Sequence, residues 1–142
     1  MPPKDLKPLL LLFLLSIFLW ACNNEEECCL PSPQIADEEW LSVSIKRDRE
    51  VNFAPQEVLL TFDSDTTFSL QLDVNRCGGN MNLDLETGRF EASTISCTYA
   101  CCDSPYSEFL VDFLAEADAY ELRTQELIIL KGDNRAVFKI KD

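Results

Sequence analysis

Between Cys97 and Tyr106 the apolar periodicity of this chain changes from two to 3.6, and four of its seven cysteines, Cys77, Cys97, Cys101 and Cys102, gather around that change. Downstream, Tyr106, Phe109, Leu110, Phe113, Leu114 and Ala117 stand at i, i+3, i+4, i+7, i+8 and i+11, which predicts one face of an α-helix. Ser104 suits its N-cap, Pro105 its first position, and Asp103 and Glu108 the positive end of its dipole. Upstream, alternation predicts strands over residues 40–46, 57–62, 67–74, 81–85 and 90–96. In the first of these Leu41, Val43 and Ile45 are expected on one face and Ser42, Ser44 and Lys46 on the other. Residues 48–55 read as a loop, residues 63–66 as a turn, and Cys77-Gly78-Gly79 as a tight turn or bulge. Three further strands are expected over residues 119–123, 126–131 and 136–141, the last two joined at Gly132-Asp133-Asn134. Eight short strands and one helix predict an α+β fold: a mostly antiparallel, strongly curved sheet with one helix packed on it.

The N-terminus is organised differently. Lys4 and Lys7 form a basic region, residues 9–20 are apolar apart from Ser16, and Ala21 precedes Cys22. The apolar run is too short and too abruptly ended for a membrane span and reads as an export signal. Leu19-Trp20-Ala21-Cys22 resembles the bacterial lipobox, whose cysteine is acylated, although Trp20 is bulkier than the residue usual there. The expected organisation is a lipoprotein signal peptide over 1–21, an acidic tether over 22–39 and a folded domain over 40–142. This implies a bacterial envelope protein held at the outer membrane by lipid on Cys22, on the periplasmic face or the cell surface. The acids at 25–27 also resemble the surface-export signal of Bacteroidetes lipoproteins.

Assigning Cys22 to lipid leaves Cys28, Cys29, Cys77, Cys97, Cys101 and Cys102, an even set that an exported domain is expected to oxidise. Six cysteines allow 15 pairings. Joining the turn at Cys77 to the helix start at Cys101 or Cys102 is the pairing we expect, and closing a loop of ~25 residues would stabilise the domain by roughly 3 kcal/mol. Removing residues 1–21 takes away Lys4, Lys7 and Asp5, one net positive charge, so the net charge falls from −13 to −14. A chain so acidic is unsuited to nucleic acid and is repelled by anionic lipid, leaving the acyl group as the membrane attachment.

Residues 40–140 resemble a META domain, the small β-rich module found in HslJ-type envelope lipoproteins, in a Bacteroidetes variety. The resemblance rests on Trp40-Leu41, the strand at 58–62, Asn75-Arg76-Cys77-Gly78-Gly79-Asn80 at the place of the family's Gly-Cys-Asn turn, and Thr98-Tyr99-Ala100-Cys101 before the helix. The stretches 120–122 and 127–132 also fit, whereas the doubled Cys101-Cys102 and the extra Cys97 depart from the simplest pattern. The resemblance implies a fold, an envelope location and no enzymatic activity.

The residues themselves agree with that reading. The chain has no histidine, so Ser-His-Asp and Cys-His catalysis in their usual form, and the commonest zinc ligand, are absent. No phosphate loop or dinucleotide fingerprint occurs. Asp63-Ser64-Asp65 lacks the remaining ligands of a calcium loop. The expected function is a non-enzymatic lipoprotein that binds another envelope component, without cofactor or metal. The alternative is a thiol-based metal-binding or redox protein using Cys77, Cys97, Cys101 and Cys102.

Overall fold

The computed structural model describes residues 35–142. Nine strands and one α-helix run in the order β1 (Glu39–Arg47), β2 (Glu50–Phe53), β3 (Leu59–Phe62), β4 (Thr67–Gln71), β5 (Arg76–Asp84), β6 (Arg89–Cys97), α1 (Pro105–Glu116), β7 (Ala119–Leu122), β8 (Glu126–Lys131) and β9 (Asn134–Ile140). The sheet runs β2-β1-β3-β4-β5-β6-β7-β8-β9, wholly antiparallel, and β1 also pairs with β9, so it closes on itself. The fold is α+β, as expected, with one strand more.

The extra strand is β2, in the segment read as a loop. Glu50-Val51-Asn52-Phe53 does alternate, and the two-residue turn Asp48-Arg49, with Asp48 at φ 56°, folds it back onto β1. β1 therefore has one edge bonded to β9 and the other shared, residues 39–41 with β3 and residues 44–47 with β2. A bulge between Ser42 and Ser44 against β9 resets its alternation. Trp40, Ser42 and Ile45 are consequently the buried set, while Leu41 and Val43, expected inside, are only half-buried.

Residues 35–37, assigned by sequence to the tether, form a single 3₁₀ turn. Ile35 is buried, and its carbonyl accepts a hydrogen bond from Trp40 Nε1 at 3.1 Å. An indole N–H sealed inside a core needs an acceptor, and the chain before β1 supplies it.

Cys77-Gly78-Gly79 lies within β5, not in a turn, and the irregularity allowed for there is a bulge. The added residue is on β6, where Thr94 takes φ 54°. Gly79 is required by contact: a Cβ there would lie 3.0 Å from both the Phe68 ring and the Ser93 carbonyl.

Helix α1 begins as the sequence predicts. Ser104 is its N-cap, accepting from Ser107 N at 3.3 Å, and Pro105 is its first residue. Tyr106, Leu110, Phe113 and Leu114 enter the single core formed with the inner faces of the strands. The helix connects β6 to β7, whose direct pairing is limited to Arg89 opposite Ala119, and packs mainly against β6. Its Tyr106 hydroxyl reaches the β1 hydroxyl of Ser42 at 2.7 Å, both groups buried. Burial pushes the Tyr106 phenol pKa up, with the Ser42 bond acting the other way.

Candidate functional site

The loop between β6 and α1 is held against the β4–β5 connection by the side chains of Asn75, Asp103 and Asp73. Asn75 is buried and uses its whole amide: Nδ2 donates to the Ala100 carbonyl (2.8 Å) and to Asp103 Oδ2 (2.6 Å), and Oδ1 accepts from Ala100 N (2.7 Å) and Thr98 Oγ1 (3.1 Å). Asp103 Oδ1 accepts in turn from the amides of Val74 and Asn75, at 2.9 and 3.0 Å. The carboxylate expected to serve the helix dipole thus serves the β4–β5 connection. The helix start is held instead by Asp73, whose Oδ2 accepts from Ser104 N at 2.7 Å. Burial pushes the Asp73 carboxyl up, but the Ser107 hydroxyl and the Ser104 amide outweigh it and hold its pKa below the ordinary value.

This knot fixes the cysteines. Cys77 bonds Cys97, and Cys101 bonds its neighbour Cys102; the expected pairing of Cys77 with Cys101 or Cys102 is not formed. The reason is register. From the β5–β6 turn as far as Asn80, the pairing would set Ser96 opposite Cys77, and the extra β6 residue advances it by one, to Cys97. Residues 98–102 then leave the sheet for the loop that Asn75 holds. With all four sulfurs in two disulfides, the four-thiolate metal site of the alternative reading is not assembled. Among the described residues no group of His, Cys, Asp and Glu is arranged to hold a metal. Cys22, Cys28 and Cys29 lie outside the described residues.

A second feature was not foreseen from sequence. Two adjoining hollows of about 610 and 540 Å³ share Asn52 and Phe109, and lie between the β1–β2 hairpin and the first turns of α1. One is lined by Arg47, Asp48, Arg49 and Glu50, the other by Phe53, Pro55, Ser104, Pro105 and Tyr106. The Arg47 guanidinium lies 4.9 Å from the Phe109 ring centroid, joining hairpin to helix across the cleft. Asp48 N donates to Asn134 Oδ1 at 2.6 Å, fixing the hairpin tip to the β8–β9 turn. Phe53 is 72% exposed, so the wall of the second hollow is apolar and open, whereas that of the first is charged. The one available signal was the alternation of residues 50–53 after a two-residue turn.

The comparisons with known proteins agree with the geometry. A family model described as META domain matches residues 33–142. The chain belongs to the META family. Two solved structures similar to this META domain are a protein from Burkholderia xenovorans (18% identity, TM-score 0.62, covering 84% of this chain and 97% of the other) and a duf4847 family protein from Bacteroides vulgatus (16%, 0.58, 74% and 93%). At these identities the likeness is one of fold. No curated protein matches the chain. In this META domain two of the stretches that carried the resemblance, around Asn75 and around Thr98-Tyr99-Ala100, are the two halves of the hydrogen-bonded knot.

Proposed function

We propose that this META domain is a non-catalytic binding module of the bacterial envelope, carried on lipid at Cys22 of the outer membrane and engaging another envelope component through the cleft beside Phe109. The cleft carries the reading: it is open, with an apolar half around Phe53 and Phe109 and a charged half at the hairpin, whereas the polar cluster around Asn75 is consumed by its own hydrogen bonds. Family membership supports an envelope role without catalysis. Twelve residues separate Cys22 from Ile35, a reach of at most about 45 Å.

The test is photo-crosslinking in cells, with the reactive residue at Phe53 or at Leu85, which is 80% exposed in the β5–β6 turn. A discrete envelope adduct at Phe53 and none at Leu85 is expected. Equal or absent labelling at both sites would count against the reading. Cys22→Ser is expected to release the protein from the membrane fraction.

A second reading, thiol–disulfide exchange, is favoured by the exposure of both Cys101 and Cys102. A dithiol reductant would convert that disulfide to two thiols and be oxidised to its own disulfide. Alkylation of protein taken directly from the envelope decides it: carbamidomethyl groups on Cys101 and Cys102 are expected from this reading and unmodified cysteines from the first.

A further inference from the structure

Among the described residues, β2 has a strand on one side alone. Ala54 N donates to the Val43 carbonyl at 3.0 Å, and strict alternation along an antiparallel pair then turns the N–H and C=O of Asn52 and Glu50 toward β1. Those of Val51 and Phe53 point away, and among the described residues no other strand pairs with β2. The unpaired edge borders the cleft, with the N-terminal turns of α1 opposite. An edge so placed is a template for an added strand.

The charge around that edge is unlike the rest of the molecule. Of the ten Lys and Arg among the described residues, Arg89, Arg123, Lys131, Lys139 and Lys141 form ion pairs and Arg76 donates to Gln71. The four others are Lys46, Arg47, Arg49 and Arg135, and all four lie at the β1–β2–β9 end. Arg47 and Arg49 line the cleft, Lys46 stands opposite Val51, and Arg135 stands opposite Lys46. Asp48 and Glu50 share the hairpin, but neither forms an ion pair with them. The four cations are collected in a chain of net charge −13.

Resting on the binding reading above, we propose that the occupant of the cleft is an extended, acidic segment of another polypeptide, added as a strand to β2. Its main chain pairs with Val51 and Phe53, its apolar side chains lie along the face of Val51 and Phe53, and its carboxylates, on the other face, meet Arg47 and Arg49, which line the cleft. Charge selects this occupant over a second copy of the chain. Antiparallel pairing of β2 with itself sets the uncharged end, Phe53-Ala54-Pro55, beside the cations. The overall acidity does not forbid an acidic partner, because screening confines exposed charges to about 8 Å at physiological salt, and the hairpin end sets Lys46, Arg47, Arg49 and Arg135 against Asp48 and Glu50.

The experiment uses the full chain in mild neutral detergent and two seven-residue peptides, one alternating glutamate with valine or threonine, the other with lysine replacing each glutamate. Amide exchange at Val51 and Phe53 is read by NMR. The glutamate peptide is expected to slow both amides about tenfold or more, and to bind about tenfold more tightly than the lysine peptide. Val51→Pro removes only an outward N–H, which an edge strand tolerates, and is expected to abolish binding. Arg49→Glu, in an exposed turn, is expected to weaken the glutamate peptide and favour the lysine one; it keeps the test decisive should Val51→Pro fail to fold.

Equal binding of both peptides, or binding without protection of Val51 and Phe53, overturns the proposal. So does protection in the free chain that grows with its own concentration, which marks a second copy. Attachment to phosphatidylglycerol vesicles that is lost in Arg49→Glu, with the edge unprotected, overturns it in favour of an anionic membrane surface. A Phe53 crosslink in cells without peptide binding overturns the acidic strand and leaves the binding-module reading standing.

Discussion

The Arg47 guanidinium lies over the ring of Phe109, 4.9 Å from its centroid, and ties the β1–β2 hairpin to helix α1 where no backbone hydrogen bond joins them. Both residues also line the cleft, so the contact sets the spacing of its walls. Arg47→Ala is expected to cost under about 1 kcal/mol, the range for an exposed cation–π pair. It should nonetheless reduce adduct formation at Phe53, because the hairpin is no longer held. Denaturant midpoints and the crosslinking yield check the two effects separately, and an unchanged yield would show that the wall spacing is set elsewhere.

The two disulfides predict unequal consequences. Cys77 and Cys97 are 20 residues apart and join β5 to β6, so removing both should lower stability by about 3 kcal/mol. Cys101 and Cys102 are adjacent and close almost no chain, so the Cys101→Ala, Cys102→Ala pair should cost little. Denaturant unfolding of the two double variants under oxidising conditions is the comparison. A larger loss at the adjacent pair would contradict the assignment.

Asn75 fills four hydrogen-bonding positions at once, and Asn75→Ala removes one bond each from Thr98 and Asp103 and two from Ala100. Asp103 keeps the amides of residues 74 and 75 and Thr98 keeps that of Arg76, so Ala100 is the residue that loses both its bonds, and the expected cost is about 1–3 kcal/mol. Amide exchange should accelerate at Ala100, whose N–H bonds the side chain, before it does in β8. Uniform acceleration throughout the domain would mean that the knot unfolds only globally.

Acid should act through Asp73. Its carboxyl pKa is lowered in the folded state, so the stability it adds is fully present above the unfolded value near 3.8 and is lost as pH falls through the lower folded value. Asp73→Asn is expected to destabilise at neutral pH and to lose less on acidification below about pH 4 than the parent. Midpoints measured from neutral to strongly acidic pH decide it; parallel curves would exclude Asp73 as a contributor.

Gly79→Ala should destabilise by about 1–3 kcal/mol, because the new Cβ meets the Phe68 ring and the Ser93 carbonyl at 3.0 Å. Combining it with Phe68→Leu should recover part of the loss, since the ring is the contact that can yield. Strict additivity in that double-mutant cycle would place the strain on the carbonyl alone.

Much of the fold was legible because its signals are local. The 3.6-residue spacing from Tyr106 to Ala117, with Ser104 and Pro105 before it, specifies α1 through contacts a few residues apart. The alternation of Phe68 and Leu70 places both in the core, as expected. The motifs around Asn75 and Thr98 marked the family, but their chemistry, an amide bonded across some 25 residues, is invisible until the two stretches meet.

The sequence by itself determined eight of the nine strands, the N-capped helix, the acidity and the absence of histidine chemistry, because each follows from residue identity or short-range spacing. Tertiary structure alone decided the disulfide map and the open cleft. One bulged residue near Thr94 shifts β6 against β5 and puts Cys97 opposite Cys77. The sharing of one β1 edge between β2 and β3 leaves the far side of β2 unpaired. Register and edge pairing are properties of two segments together: a one-residue slip changes every partner while leaving the alternation of each strand unchanged.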